Sequence, residues 1–151
     1  GETQLKLDLN NSPKQIESFD ALFDLIEQIL NPVAKHLGEV QLTYGFCSLE
    51  LSKHIHSRVY PKLDQHSACE LNNKGDLICQ RKGASCDFYV KGLSSLTLAK
   101  WVSANTEFDR LYFYGEDLPI HVSYGPDHSK QIVTMTEGKS GKLIPKVVKA
   151  L

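Results

Sequence analysis

Hydrophobic and polar positions alternate along this chain with two periods, and the switch between them predicts mixed α and β elements. Leu5, Leu7 and Leu9 alternate with Lys6 and Asp8, which predicts a short half-buried strand. Phe19, Leu22, Phe23, Ile26, Leu30, Val33 and Leu37 then recur at helical spacing, with Ser18 in position to cap them. Pro32 predicts a kink or restart in that helix, and Gly38 its end. Residues 40–46 read as a strand and 49–59 as a second helix stopped by Pro61. Strands are predicted over 76–80 and 85–90, then a third helix capped by Ser94 or Ser95. Arg110–Tyr114, Ile120–Tyr124 and Gln131–Met135 read as closing strands, and the Lys-rich residues from 138 on as a loosely attached tail. Helices first and a mostly antiparallel sheet later make the expected class α+β, in one domain over 1–151 with its core at about 18–135.

Composition narrows this little. At 151 residues the chain suits one domain, and its 41% apolar and 23% charged content is ordinary for a globular protein. A formal net charge of −1 gives no electrostatic reason to expect nucleic acid or an anionic membrane as partner. No apolar run reaches the roughly 20 residues that cross a bilayer, and no secretory signal opens the chain, so a cytoplasmic location is the expectation. The four cysteines are too few for a secreted disulfide framework. Cys69 and Cys79 flank the turn Asn72-Asn73-Lys74-Gly75 and could face each other across a hairpin; buried thiols are the favoured reading.

Candidate chemistry lies in three apolar-flanked runs: Asp64-Gln65-His66, Gly83 to Phe88 and Ile120 to Tyr124. Two imidazoles and a carboxylate, from His66, Asp87 and His121, form a common zinc ligand set that leaves a fourth position for water. Asp87 is the sharpest of these, because a carboxylate inside an apolar strand needs a partner: a metal, or else Arg81 or Arg110. A rival set of His66, Cys69, Cys79 and Cys86 is weakened because Cys86 and Asp87, adjacent on a strand, point to opposite faces. His54 and His56 sit beside Lys53 and Arg58 and read as solvated.

The order of elements, with Gly-x-x-x-Asp-Phe at 83–88, Phe-Asp-x-Leu at 108–111 and His-Val-Ser at 121–123, resembles the M15 metallopeptidases. These are zinc D-Ala-D-Ala carboxypeptidases and related endolysins, sharing a fold with the hedgehog domain. The resemblance spans about 18–135 and implies that fold, a zinc ion on His66, Asp87 and His121, and hydrolysis of a peptide or amide bond. It also raises an ambiguity. The family's compact His-x-x-Gly-x-x-x-Asp motif puts Gln80 at the first ligand position in an ungapped reading, whereas His66 requires residues 67–79 to loop out.

The substrate side departs further from the family. Cys47 stands where the family's substrate-binding Arg would be, and a thiol cannot imitate a guanidinium's paired donors. Tyr114 stands where the family's general base, a Glu, would be, leaving Glu116 or Asp117 as bases only if their turn folds back over the site. Tyr114 and Tyr124 are candidate hydrogen-bond donors to an oxyanion. Cys47, Tyr124 and His128 are the candidate substrate contacts. The expected function is a zinc-dependent hydrolase with an altered pocket; the competing one is a non-catalytic zinc-binding module.

Overall fold

The structure, a computed structural model, describes residues 8–55 and 59–151. It is α+β, with a six-stranded sheet in the order β1-β2-β4-β3-β5-β6. The strands are β1 (Val40–Tyr44), β2 (Ala84–Val90), β3 (Arg110–Phe113), β4 (Ile120–Tyr124), β5 (Gln131–Glu137) and β6 (Leu143–Val148). All neighbours pair antiparallel except β3 with β5, which run parallel. The helices are α1 (Ile16–Leu25), α2 (Asn31–Leu37), α3 (Leu49–Ser52), α4 (Pro61–Asp64) and α5 (Ser95–Asn105).

Alternation along the strands divides the sheet into two chemically different faces. Ala84, Cys86, Phe88 and Val90 of β2, with Ile120 and Val122 of β4, are buried against Leu25, Ile29 and Val33 and against Leu98, Ala99 and Val102 of α5. The side chains between them, Ser85 and Asp87 on β2 and His121 and Ser123 on β4, therefore point to the opposite face. Segments 45–55 and 59–83 lie on this second face and build a smaller apolar cluster of Cys47, Leu51 and Val59 there. The helical stretch 16–37 and α5 thus cover one face, while α3 and α4 lie on the segment that crosses the polar one.

Several elements differ from the sequence reading, each for a local reason. At Pro32 the expected restart takes a particular form: a π-helical turn (Ile26–Leu30) ends the first stretch, and α2 begins anew with the proline in its first turn. Ser18 is not the cap. It lies buried inside α1, and the carboxylate of Glu70 instead accepts hydrogen bonds from the backbone of Lys14 (2.8 Å) and Gln15 (3.1 Å) and from the Ser18 hydroxyl (2.6 Å). Residues 76–80 form no strand. The Asn72 side chain captures the amides of Lys74 and Asp76, leaving one bridge between Leu71 and Leu77. The Lys-rich tail is no loose end, since residues 143–148 form edge strand β6, paired with β5 from Ile132 to Glu137.

α3 is shorter than expected, with the Ser48 hydroxyl capping Leu51 (3.1 Å). The calls on Leu5, Leu7, His56 and Arg58 lie outside the described residues; Leu9 packs against the smaller apolar cluster. Gly38, the Ser94 cap on Thr97 and the bounds of β4 are as the pattern predicts.

Candidate metal centre

Asp87 and His121 are direct cross-strand partners on β2 and β4, so their side chains leave the sheet side by side. Tyr112 of β3 stands on the far side of His121 in the same row. On the near side, a bulge in β1 puts Tyr44 opposite Asp87, where strict pairing would have put Thr43. That extra residue turns Tyr44 onto the polar face.

His66 reaches the row from above, on the segment that crosses it. Gln65 takes a left-handed conformation (φ 65°) to end α4 and reverse the chain. Its Nε2 donates to the Lys82 carbonyl (2.8 Å) and to Asp109 Oδ2 (3.1 Å). The Cys47 amide donates to the His66 carbonyl (2.9 Å), Ser67 Oγ to the Cys47 carbonyl (2.6 Å), and the His66 amide to Asp64 Oδ1 (3.1 Å). The next residues are tied to α1 through Glu70, which links the helix start to the His66 loop. Gly83 opens β2 with φ 117°, and a Cβ there would strike the Tyr124 carbonyl, so only glycine lets β2 enter beside the end of β4.

The ring nitrogens define what the cluster can do. His66 Nδ1 lies 2.8 Å from the Gly45 carbonyl, which can only accept, so this nitrogen carries a proton. His66 Nε2 lies 3.2 Å from Asp87 Oδ1, and His121 Nδ1 lies 2.8 Å from that same oxygen. One carboxylate oxygen is thus faced by two imidazole nitrogens, each needing a proton or a cation in between. Bond lengths near 2.0–2.2 Å around a tetrahedral ion put its ligand atoms roughly 3.3 Å apart, so the 3.2 Å separation suits a shared ion and the 2.8 Å one, a direct hydrogen bond, would open by about 0.5 Å to admit it. The three ligand atoms lie within 4.8 Å of one another, and this group could hold a metal ion. It is the one such group of three or more among the described residues.

Electrostatics agree with this geometry. Burial drives the Asp87 carboxyl up, but hydrogen bonds from His121 and His66 and their charges outweigh it, holding Asp87 far below the usual carboxylate range. Burial likewise pulls His66 down, and Asp87, joined by Asp64 and the Gly45 carbonyl, overcomes it and raises the imidazole. The side chains of His66 and His121 are 1% and 4% exposed, that of Asp87 24%, so solvent reaches the centre on the carboxylate side.

Tyrosines wall the centre. The Tyr44 ring meets His66 edge-on at 5.0 Å, and the Tyr112 ring lies 5.0 Å from His121. The Tyr44 hydroxyl is buried without a hydrogen-bond partner. The Cys47 thiol beside it donates a hydrogen bond to the Ser48 carbonyl (3.6 Å). Burial, then Cys47 and the nearby carboxylates, push the Tyr44 hydroxyl well up; burial, then Asp87, Tyr112, Asp64 and Tyr60, do the same to Tyr114. Both remain protonated donors. Gln65 Oε1, Ser85 Oγ and Arg110 Nε are likewise buried and unpartnered. Gln65 and Arg110 both bond Asp109 through their other nitrogens, so two of these atoms lie beside that carboxylate.

The other candidate residues fall elsewhere. Gln80 is exposed and does not join the ligand group, so His66 and not Gln80 gathers with Asp87 and His121. Glu116 and Asp117 are exposed on the β3–β4 turn and do not join the ligand group. Hydrogen bonds from the Ser95 amide to the Glu116 carbonyl (3.0 Å) and from Ser95 Oγ to the Leu118 carbonyl (2.5 Å) draw that turn toward α5, away from the polar face. Tyr124 is an odd number of residues from His121 and so points to the helix side. With His128 it lines a groove beside Glu17, Asp20 and Asp24. Cys47 is buried; burial pushes its thiol up to about 11, and its backbone holds the His66 loop in place of any substrate.

All four cysteines are free, and Cys86 sits in the core, which removes the sulfur-rich alternative. Arg81 donates to the Leu63 carbonyl and Arg110 to Asp109, so neither pairs with Asp87. Tyr44 and Tyr112 are absent from the sequence reading. Period-two alternation with Tyr114 was the available signal for Tyr112, while Tyr44 depends on a bulge that no pattern announces.

No protein-family model matches the sequence, and no curated protein and no solved structure matches the chain. Among the described residues no helix is long and apolar enough to cross a membrane.

Proposed function

We propose that the chain is a zinc-dependent hydrolase of peptide or amide bonds, an M15-like domain of the hedgehog/DD-peptidase type with a rewritten substrate pocket. The observation that carries this reading is the single Asp87 oxygen faced by nitrogens of two histidines, with no fourth His, Cys, Asp or Glu joining them among the described residues. Nitrogen and oxygen ligands with an open fourth position are the pattern of a catalytic zinc, whereas a structural site is closed by a fourth protein ligand. A zinc ion bound there supplies an acidified water and an electrophile for a carbonyl oxygen.

The chain's own residues would orient and hydrogen-bond. Gly45 fixes the His66 tautomer by accepting a hydrogen bond from Nδ1–H, which leaves the Nε2 lone pair to face Asp87 or an ion. Tyr44 and Tyr114, kept protonated by burial, are the donors available to a developing oxyanion. Tyr60 joins this wall to a groove of about 1120 Å³ lined by Leu49, Val59, Leu63, Leu77 and Ile78, which suits apolar side chains of a substrate.

One observation favours a second reading, a binding module that keeps zinc without turnover: among the described residues no further carboxylate joins the ligands to act as base. Assay of zinc-loaded protein against a panel of peptides and amides separates the two. Hydrolysis that disappears in Asp87→Ala and falls in Tyr44→Phe supports the hydrolase. Full zinc occupancy with no turnover across the panel supports the module.

A further inference from the structure

The helical stretch of α1 and the π turn after it carries an apolar stripe that no other described residue covers. Ile16, Phe19, Phe23 and Ile26 are spaced three, four and three residues apart, and they are 75, 55, 58 and 45% exposed. At 1.5 Å per residue the stripe runs about 15 Å along one helical face. Leu25, Ile29 and Val33 on the other side of the helix are buried on the sheet, so the stripe is surplus to the domain's own core. Two half-exposed phenylalanines between two isoleucines make a contiguous patch of the kind that marks an interaction site on a soluble domain.

Charge says what would cover it. Glu17, Asp20, Asp24 and Glu27 lie along one flank of the stripe, and no Lys or Arg occurs between Lys14 and Lys35. Among the described residues none of the four carboxylates forms an ion pair. In an antiparallel pair of two such helices the same flank of each meets the other, so a second copy would set carboxylates against carboxylates. A bilayer with anionic headgroups is disfavoured for the same reason.

We infer that this face docks an amphipathic helix of a partner protein, one whose apolar seam is flanked by lysines or arginines. The three-four spacing is that of a coiled-coil seam, and the unpaired acidic flank selects the partner's sign of charge.

The test uses the full chain and two labelled synthetic helical peptides with the same leucine seam, one flanked by lysines and one by glutamates. Fluorescence anisotropy should show saturable binding of the lysine peptide, at least tenfold tighter than the glutamate peptide. Phe19→Ser with Phe23→Ser should weaken it at least tenfold. Asp20→Lys with Glu27→Lys should reverse the preference. These side chains are exposed, and unchanged circular dichroism and melting would verify that each variant folds. Equal binding of both peptides, or binding of neither, overturns the inference. So would concentration-dependent dimerisation abolished by the Phe pair, or binding to zwitterionic vesicles in preference to the lysine peptide.

Discussion

Replacing Glu70 by alanine tests how the fold holds the His66 loop. This carboxylate is 4% exposed and accepts from the Lys14 and Gln15 amides and the Ser18 hydroxyl. It does from a distant loop what a capping side chain does locally. Losing a helix cap costs about 0.5–2 kcal/mol. Leaving buried donors unpaired costs a further 1–3 kcal/mol or so. Water can enter at the rim of the helix start and recover part of this, so the expected loss is about 3 kcal/mol, near the upper end for a single substitution. For a domain of this size that corresponds to a fall in melting temperature of about 6–12 °C. Glu70→Gln keeps an acceptor oxygen and should lose about half as much. Urea unfolding followed by circular dichroism reads both. A loss below about 1 kcal/mol for Glu70→Ala would refute the claim that this carboxylate caps the helix.

Other consequences follow from the same geometry. Gly83→Ala should cost at least about 2 kcal/mol, because φ is 117° and the added Cβ meets the Tyr124 carbonyl; thermal melting measures it, and a neutral result would contradict the close approach. In metal-free protein His66 is raised above 6.5 and Asp87 lowered below 3.8, so their pairing stabilises most between those bounds. Stability should fall as pH rises through the raised His66 value, and again as it drops through the lowered Asp87 value. Zinc should abolish the high-pH loss, and its affinity should begin to weaken above pH 6.5 as pH is lowered, since protons compete for His66 sooner than for an ordinary imidazole. Denaturation and zinc titrations across a pH series read these slopes. Burial raises the thiols of Cys47 and Cys86, so mass spectrometry after brief iodoacetamide treatment at pH 8 should find both unmodified in folded protein and alkylated after unfolding.

The grouping of His66, Asp87 and His121 was legible from sequence because each member sits in a strong local pattern. His121 lies in a clean alternating strand, Asp87 is a carboxylate in an apolar run, and Asn72 to Gly75 signals the turn that lets 67–79 loop out. The position of Tyr124 on the wrong face was also legible, since residues three apart on a strand point opposite ways. What the sequence hid was tertiary. The bulge at Thr43 exchanges which side chain faces Asp87, and nothing in Gln41-Leu42-Thr43-Tyr44 marks it. The Glu70 cap comes from more than 50 residues away, so Ser18, the better local candidate, was preferred. β6 hid because Pro145 and Lys146 interrupt its aliphatic residues Leu143, Ile144, Val147 and Val148, and a proline and a lysine are what an open edge strand tolerates. The turn at Glu116 and Asp117 was undecidable locally, as its direction depends on bonds to Ser95.

Metal content of purified protein after dialysis against trace zinc tests the central claim most directly. Wild type and Gln80→Ala should each hold one zinc per chain, while His66→Ala, Asp87→Ala and His121→Ala should hold little or none. Undiminished zinc in His66→Ala, or its loss in Gln80→Ala, would contradict the account.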